Sequence, residues 1–204
     1  MITKEILELL QNQIIQYDQK VGKDYLIAFS KGRNSPCEIC ELTFYHYNFW
    51  HLLGCKFIGE DSFQTYLDCK NRRDISKDIA IVHSLADVYQ KSVVFSRLFD
   101  FVAHAKEIKI GYADKGPEQF EFKIGIGNFW GIVLYGIQKN NSDRYLIPKS
   151  VQEKRLETVS GQCSKILFII SKPRGEREYR CLEYEIKEGI YEDLKEQIKT
   201  KLNK

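Results

Sequence analysis

Four prolines, one methionine and two tryptophans are few for 204 residues, and no stretch is low in complexity. Proline this sparse excludes a collagen-like or polyproline chain. Long apolar runs are missing too. The longest, such as Ile166 to Ile170, are strand-sized, far short of the roughly 18 residues that a spanning helix needs. Membrane insertion is therefore not expected, and because Met1 to Val21 has no basic-then-apolar leader the expected location is cytoplasmic. Neither sign of charge dominates: 31 Lys and Arg against 28 Asp and Glu leave a formal net charge of +3. That falls short of the strongly basic footprint of a dedicated duplex-binding domain. Six scattered cysteines do not make a disulfide framework, so reduced thiols are expected. No Walker loop, strand-borne GxGxxG, HExxH or GxSxG occurs, which removes the common nucleotide, zincin and hydrolase readings.

What is plentiful is aromatic area: twelve Phe and twelve Tyr in a chain that is 43% hydrophobic, enough to bury one good core in a single domain over 1–204. Thr3 followed by Ile6, Leu9, Leu10, Ile14 and Ile15 predicts a capped helix from about Lys4 to Gln19. Tyr25 to Ser30 and Cys40 to Tyr45 flank a cluster of turn formers and predict a hairpin. Phe49 to Leu53 makes a helical turn that Gly54 can end, and Phe63, Tyr66 and Leu67 start another. The apolar stripe from Ile79 to Val102 predicts one or two helices. After Lys106 the period changes to two, with strand-length runs at 108–112, 120–126, 131–137, 145–147, 165–171 and 179–186, turn signals such as Asn140 to Asp143 between them, and a charged amphipathic helix from Ile190 to Leu202. The expected fold class is α+β, with N-terminal helices packed on a C-terminal antiparallel β-sheet.

Charge is placed unevenly. Lys70, Arg72 and Arg73 crowd one loop, and Lys149, Lys154, Arg155, Lys165, Lys172, Arg174, Arg177 and Arg180 crowd the last third, which leaves room for a local phosphate-facing surface. Cys37 and Cys40 have the spacing of a metal knuckle, but no second CxxC or HxxxH supplies the remaining ligands, so no metal and no cofactor are expected and burial as small apolar residues is the simpler reading. Gly125-Ile126-Gly127 lies inside a strand pattern and suggests a bulge rather than a phosphate cradle.

The segment from Phe44 to Gly54 gathers two histidines, an asparagine and five aromatics where a strand pattern gives way to a helix. An imidazole transfers protons near neutral pH, and a helix start offers free N–H groups to an oxyanion. His51 is the stronger candidate, with His46 behind it; a packed or surface histidine is the alternative for each. Tyr145 to Ser150 ends a strand with Pro148, Lys149 and Ser150, and Cys163-Ser164-Lys165 opens the next; such groups bind phosphate or simply form a solvated rim.

With its strand running into Asn48-Phe49-Trp50-His51-Leu52-Leu53-Gly54, its Arg-bearing helix at Ser96-Arg97-Leu98, Tyr145 to Ser150 and Gln162 to Leu167, the chain resembles the phage-associated nuclease-like proteins grouped with the barnase, EndoU, colicin and RelE toxins. The resemblance spans most of the chain in the family's order. It implies a metal-independent endoribonuclease of phage or prophage, toxin-like, that forms a 2′,3′-cyclic phosphate by attack of the ribose 2′-hydroxyl. His51 would do acid or base work, Arg97 and Lys165 would stabilise the phosphate, and Ser150 would hydrogen-bond it. Lys149, Asn48 and His46 are further binding candidates, and Tyr47 and Trp50 would stack unpaired bases. The implied partners are RNA, single-stranded or tRNA, and an antitoxin or host defence protein. The competing reading is a catalytically inactive relative that inhibits a host defence complex, such as an anti-CRISPR, by binding protein.

Overall fold

A computed structural model describes residues 2–32, 35–137 and 145–202, the last three by backbone alone; the turn signal at Asn140 to Asp143 lies outside them. The chain opens with α1 (Lys4–Asp18). Thr3, in an extended conformation, accepts a hydrogen bond from the Ile6 N–H, and Ile6, Leu10, Ile14 and Tyr17 bury one stripe of the helix. There follow β1 (Lys23–Ser30), β2 (Glu38–Thr43), α2 (Asn48–Leu52), β3 (Cys55–Phe57), α3 (Ser62–Lys70), β4 (Ile79–Ile81) and α4 (Leu85–Leu98). The apolar stripe from Ile79 thus divides into a short strand and one helix, because Ser84 caps α4 by accepting from the Asp87 N–H. The rest is β5 (Lys109–Tyr112), β6 (Ile124–Gly127), β7 (Ile132–Ile137), β8 (Tyr145–Gln152), β9 (Cys163–Pro173), β10 (Cys181–Glu185) and α5 (Ile190–Leu202).

The fold is mixed α and β, with a large sheet rich in antiparallel pairs, but its strands do not all come from the rear half. The order is β1-β2-β8-β7-β6-β5-β9-β10, and β1 also pairs with β9, so seven strands form a hydrogen-bonded ring with β10 hung on β9. The expected hairpin, β1 with β2, is built into that ring. It could not be placed from local pattern because its outer partners are more than a hundred residues away. β2 and β8 run parallel and pair over only two registers, Glu41 with Tyr145 and Leu42 with Leu146.

The strand faces sort into three apolar clusters. The largest joins Tyr25, Ile27, Phe29, Ile126, Tyr135 and Ile166 to the inner faces of α1, α2 and α4, around stacked rings such as Phe95 and Phe99 at 4.2 Å between centroids. On the outer face, Leu26, Ala28, Phe168 and Ile170 meet α5 through Ile198, and Ile132 and Leu134 meet Leu156 and Val159. Cys37 belongs to the outer cluster whereas Cys40 packs against the inner one, so alternation along the strand separates the two sulfurs. The expected bulge at Gly125 to Gly127 is absent: β6 pairs with β5 and β7 without a shift of register. Gly127 instead allows close approach, since a Cβ there would sit 2.3 Å from the Gly131 carbonyl oxygen. Among the described residues no helix is long and apolar enough to cross a membrane.

Candidate active site

Beyond Leu146, β8 has no strand on its β2 side among the described residues, because the chain leaves β2 after Thr43 and turns into α2. α2 lies along that vacated edge. Phe49, Trp50 and Leu52 face the core and hold the short helix, while His51 stays exposed on its far side and its ring hydrogen-bonds the backbone of Lys149. Gly54 ends the helix at φ 74°, the left-handed region that favours glycine, and a Cβ there would lie 2.6 Å from the tip of the Asp87 carboxylate in the first turn of α4. Asp87 in turn holds Lys91 at 3.3 Å. Burial, and then the ammonium groups of Lys91 and Lys149, keep the His51 imidazole below its ordinary value; the backbone hydrogen bond opposes them. A lowered pKa enlarges the neutral fraction of the ring near neutral pH, the form that can accept a proton.

The cleft in front of this ring, about 520 Å³, is lined by His51, Lys149, Ser150 and Gln152 on one side and by Pro117, Glu118, Glu121 and Phe122 on the other. An imidazole from the front half and the Lys149 and Ser150 pair from the rear half therefore meet. Ser150 accepts a hydrogen bond from the Gln152 amide at 3.3 Å. Opposite them, a 3₁₀ turn over Pro117–Phe120 presents Glu118 and Glu121 on one side, as i and i+3 positions do in that helix. Glu118 is buried and accepts from the Lys154 ammonium at 2.8 Å, which holds its carboxyl below the usual range. Neither glutamate was read as a site residue, because Glu118 follows the turn signal Lys115-Gly116-Pro117 and Glu121 falls in the run 120–126 expected as a strand; Pro117 at the start of a helical turn is what brings them together.

The other sequence-derived candidates lie elsewhere. Lys165 is opposite Ser30 and Lys109 on the outer face, in a second cleft with Cys163, Leu167 and the α5 residues Ile190 and Leu194, so it does not join His51. Its assignment to the phosphate is corrected for that reason. Trp50 is 1% exposed within the aromatic core and cannot stack on a base. His46 packs its ring against Tyr47, Phe63 and Tyr66 and does not line the cleft, and burial followed by the Arg174 charge lowers its pKa. Tyr47 is exposed but lies parallel to Tyr45 at 5.2 Å, also away from the cleft. Asn48 is half-buried at the first turn of α2 and does not line the cleft. Arg97 is exposed on α4, its guanidinium 5.4 Å from the Trp130 ring centroid, along the helix from Lys91.

No curated protein and no solved structure matches the chain. The pattern of one protein family, described as phage-Barnase-EndoU-ColicinE5/D-RelE like nuclease 4, matches residues 9–188. The chain belongs to this family. Membership makes it nuclease-like with a nucleic-acid substrate class, and the match takes in every residue of the cleft while leaving α5 outside.

Proposed function

We propose that the protein is a metal-independent endoribonuclease, a toxin-type enzyme of phage or prophage origin, whose reaction centre is the cleft between His51 and the Lys149-Ser150 pair. The observation that carries this reading is the convergence of a proton-accepting imidazole with a cation and a hydroxyl around one open cavity.

In the reaction, the neutral His51 ring takes the proton of a ribose 2′-hydroxyl while its other nitrogen is oriented by the Lys149 backbone. The freed oxygen attacks the adjacent phosphorus and the bond to the 5′-oxygen breaks. Lys149 and the Ser150 hydroxyl bind the phosphoryl oxygens as charge builds on them. The leaving 5′-oxygen takes a proton from water in the open cleft, so the products are a 2′,3′-cyclic phosphate and a 5′-hydroxyl. Lys154 neutralises Glu118, which would otherwise repel the phosphate. Arg97 serves the flank of the site rather than its centre.

The test incubates the purified chain with end-labelled RNA in EDTA. Cleavage that disappears in His51→Ala and falls steeply in Lys149→Ala supports the reading. Intact RNA across single-stranded and tRNA substrates, together with recovery of a stoichiometric host protein that His51→Ala still binds, would favour the inhibitor instead.

A further inference from the structure

The turn between β6 and β7 carries two large rings in the open. Phe129 and Trp130 are 55% and 59% exposed, and they meet edge to face at 5.1 Å. Each lies under a guanidinium: Arg155 is 4.1 Å from the Phe129 ring centroid and Arg97 is 5.4 Å from that of Trp130. Neither arginine has a carboxylate partner among the described residues. The turn itself is firmly built. Asn128 accepts from the Trp130 N–H at 2.8 Å and donates its own N–H to the Gly131 carbonyl at 3.0 Å, and Leu156 N–H reaches the Asn128 carbonyl at 3.4 Å. Two exposed aromatics in a hydrogen-bonded turn, with cations beside them that have no carboxylate partner among the described residues, cost solubility and gain nothing in the core.

The same turn borders the cleft. Gly131 leaves so little room that a Cβ would sit 2.5 Å from Val94 of α4 and 3.1 Å from the carbonyl oxygen of Gln152, a cleft residue. From Gln152 the chain passes Lys154, paired with Glu118, to Arg155. Five residues separate Ser150 from Arg155, so at no more than about 3.3 Å per residue the two lie within about 17 Å, the reach of a few nucleotides.

We propose that Phe129, Trp130, Arg97 and Arg155 form a base-stacking subsite for a single-stranded nucleic acid whose reacting phosphate lies in the His51 cleft, which deepens the ribonuclease reading and rests on it. The rings take the unpaired bases, every one of which has a π-face, and the two guanidiniums take the phosphates that alternate with them. A folded duplex, its bases already stacked inside, could not use the platform.

Trp130 is the natural reporter, since the second tryptophan, Trp50, is buried. Full-length His51→Ala protein is titrated with a twelve-nucleotide oligouridylate while tryptophan emission and the anisotropy of the labelled oligonucleotide are followed. The expected result is quenching of the exposed emission, a Kd raised at least tenfold in Phe129→Ala/Trp130→Ala, and binding restored to within about threefold in Trp130→Phe. With His51 present, the double variant should lose at least tenfold in kcat/KM on the twelve-nucleotide substrate but under twofold on the dinucleotide UpU. Saturable binding that leaves Trp130 emission and the double variant's Kd unchanged would overturn the platform, even if His51-dependent cleavage persists. Quenching and the raised Kd in a chain that never cleaves RNA would keep the platform and reject the ribonuclease. No response to the oligonucleotide, with loss of a bound protein in the double variant, would also overturn it.

Discussion

Lys154→Met and Glu118→Gln remove the two ends of one ion pair, and their costs should be unequal. The carboxylate accepts from the ammonium at 2.8 Å; its side chain is 8% accessible, that of Lys154 51%. Removing the lysine strands a covered carboxylate, a change that costs about 3–5 kcal/mol in a deep interior. This pair sits at the rim of an open cleft with one partner half in water, so screening reduces the figure to about 1–2 kcal/mol. Removing the carboxylate leaves a lysine that water can solvate, at a cost of about 0.5 kcal/mol or less. For a chain of this length the first variant should lose roughly 2–8 °C in Tm and the second no more than about 2 °C. Lys154 holds the Glu118 carboxyl below its ordinary value, so the stabilisation is complete above that ordinary value, near 4.3, and disappears as pH falls through the lower, folded one. Thermal unfolding at pH 7 should therefore separate wild type from Lys154→Met, and the gap should close as Glu118 protonates at acid pH. Equal costs for the two variants, or a gap that widens in acid, would show that Lys154 does not stabilise the charged Glu118 carboxylate.

Other outcomes follow from the same geometry. The acid limb of kcat/KM should have its midpoint below the ordinary imidazole value of about 6.5, and Lys91→Gln, by removing the second-largest cause of that lowering, should move the limb upward; a limb unmoved by Lys91→Gln would detach it from His51. Lys149→Ala should cost about a hundredfold or more in kcat, whereas Lys165→Ala, on the outer face, should leave turnover on short substrates within about twofold. Trp50→Ala should destabilise by about 3–5 kcal/mol in urea unfolding, and a near-neutral result would contradict its place in the core.

The elements that local chemistry specifies were legible in the sequence: Thr3 as a cap with Ile6, Leu10 and Ile14 at helical spacing fixed α1, and Gly54 marked the end of α2. What sequence spacing does not carry is which strands lie side by side. Leu42 meets Leu146 across a hundred residues, and that pairing, with its early end, is what brings α2 to β8. His51, Lys149 and Ser150 were legible as chemistry and converge because of it. Lys165 was not separable from them by type or position at a strand end; the register that aligns it with Ser30 and Lys109 sends it to the other face. Trp50 and Trp130 show the same limit, since adjacency to His51 suggested a stacking role for the one that helical periodicity buries, and the exposed ring lies in a turn eighty residues away.

In the proposed reaction the cleft's own imidazole starts phosphodiester cleavage. The decisive measurement identifies the ends left on RNA by wild type and by His51→Ala in EDTA. By that reaction wild type should leave 2′,3′-cyclic phosphates and 5′-hydroxyls, and the variant neither. Cyclic ends formed equally by both proteins, or 5′-phosphate products from wild type, would contradict it.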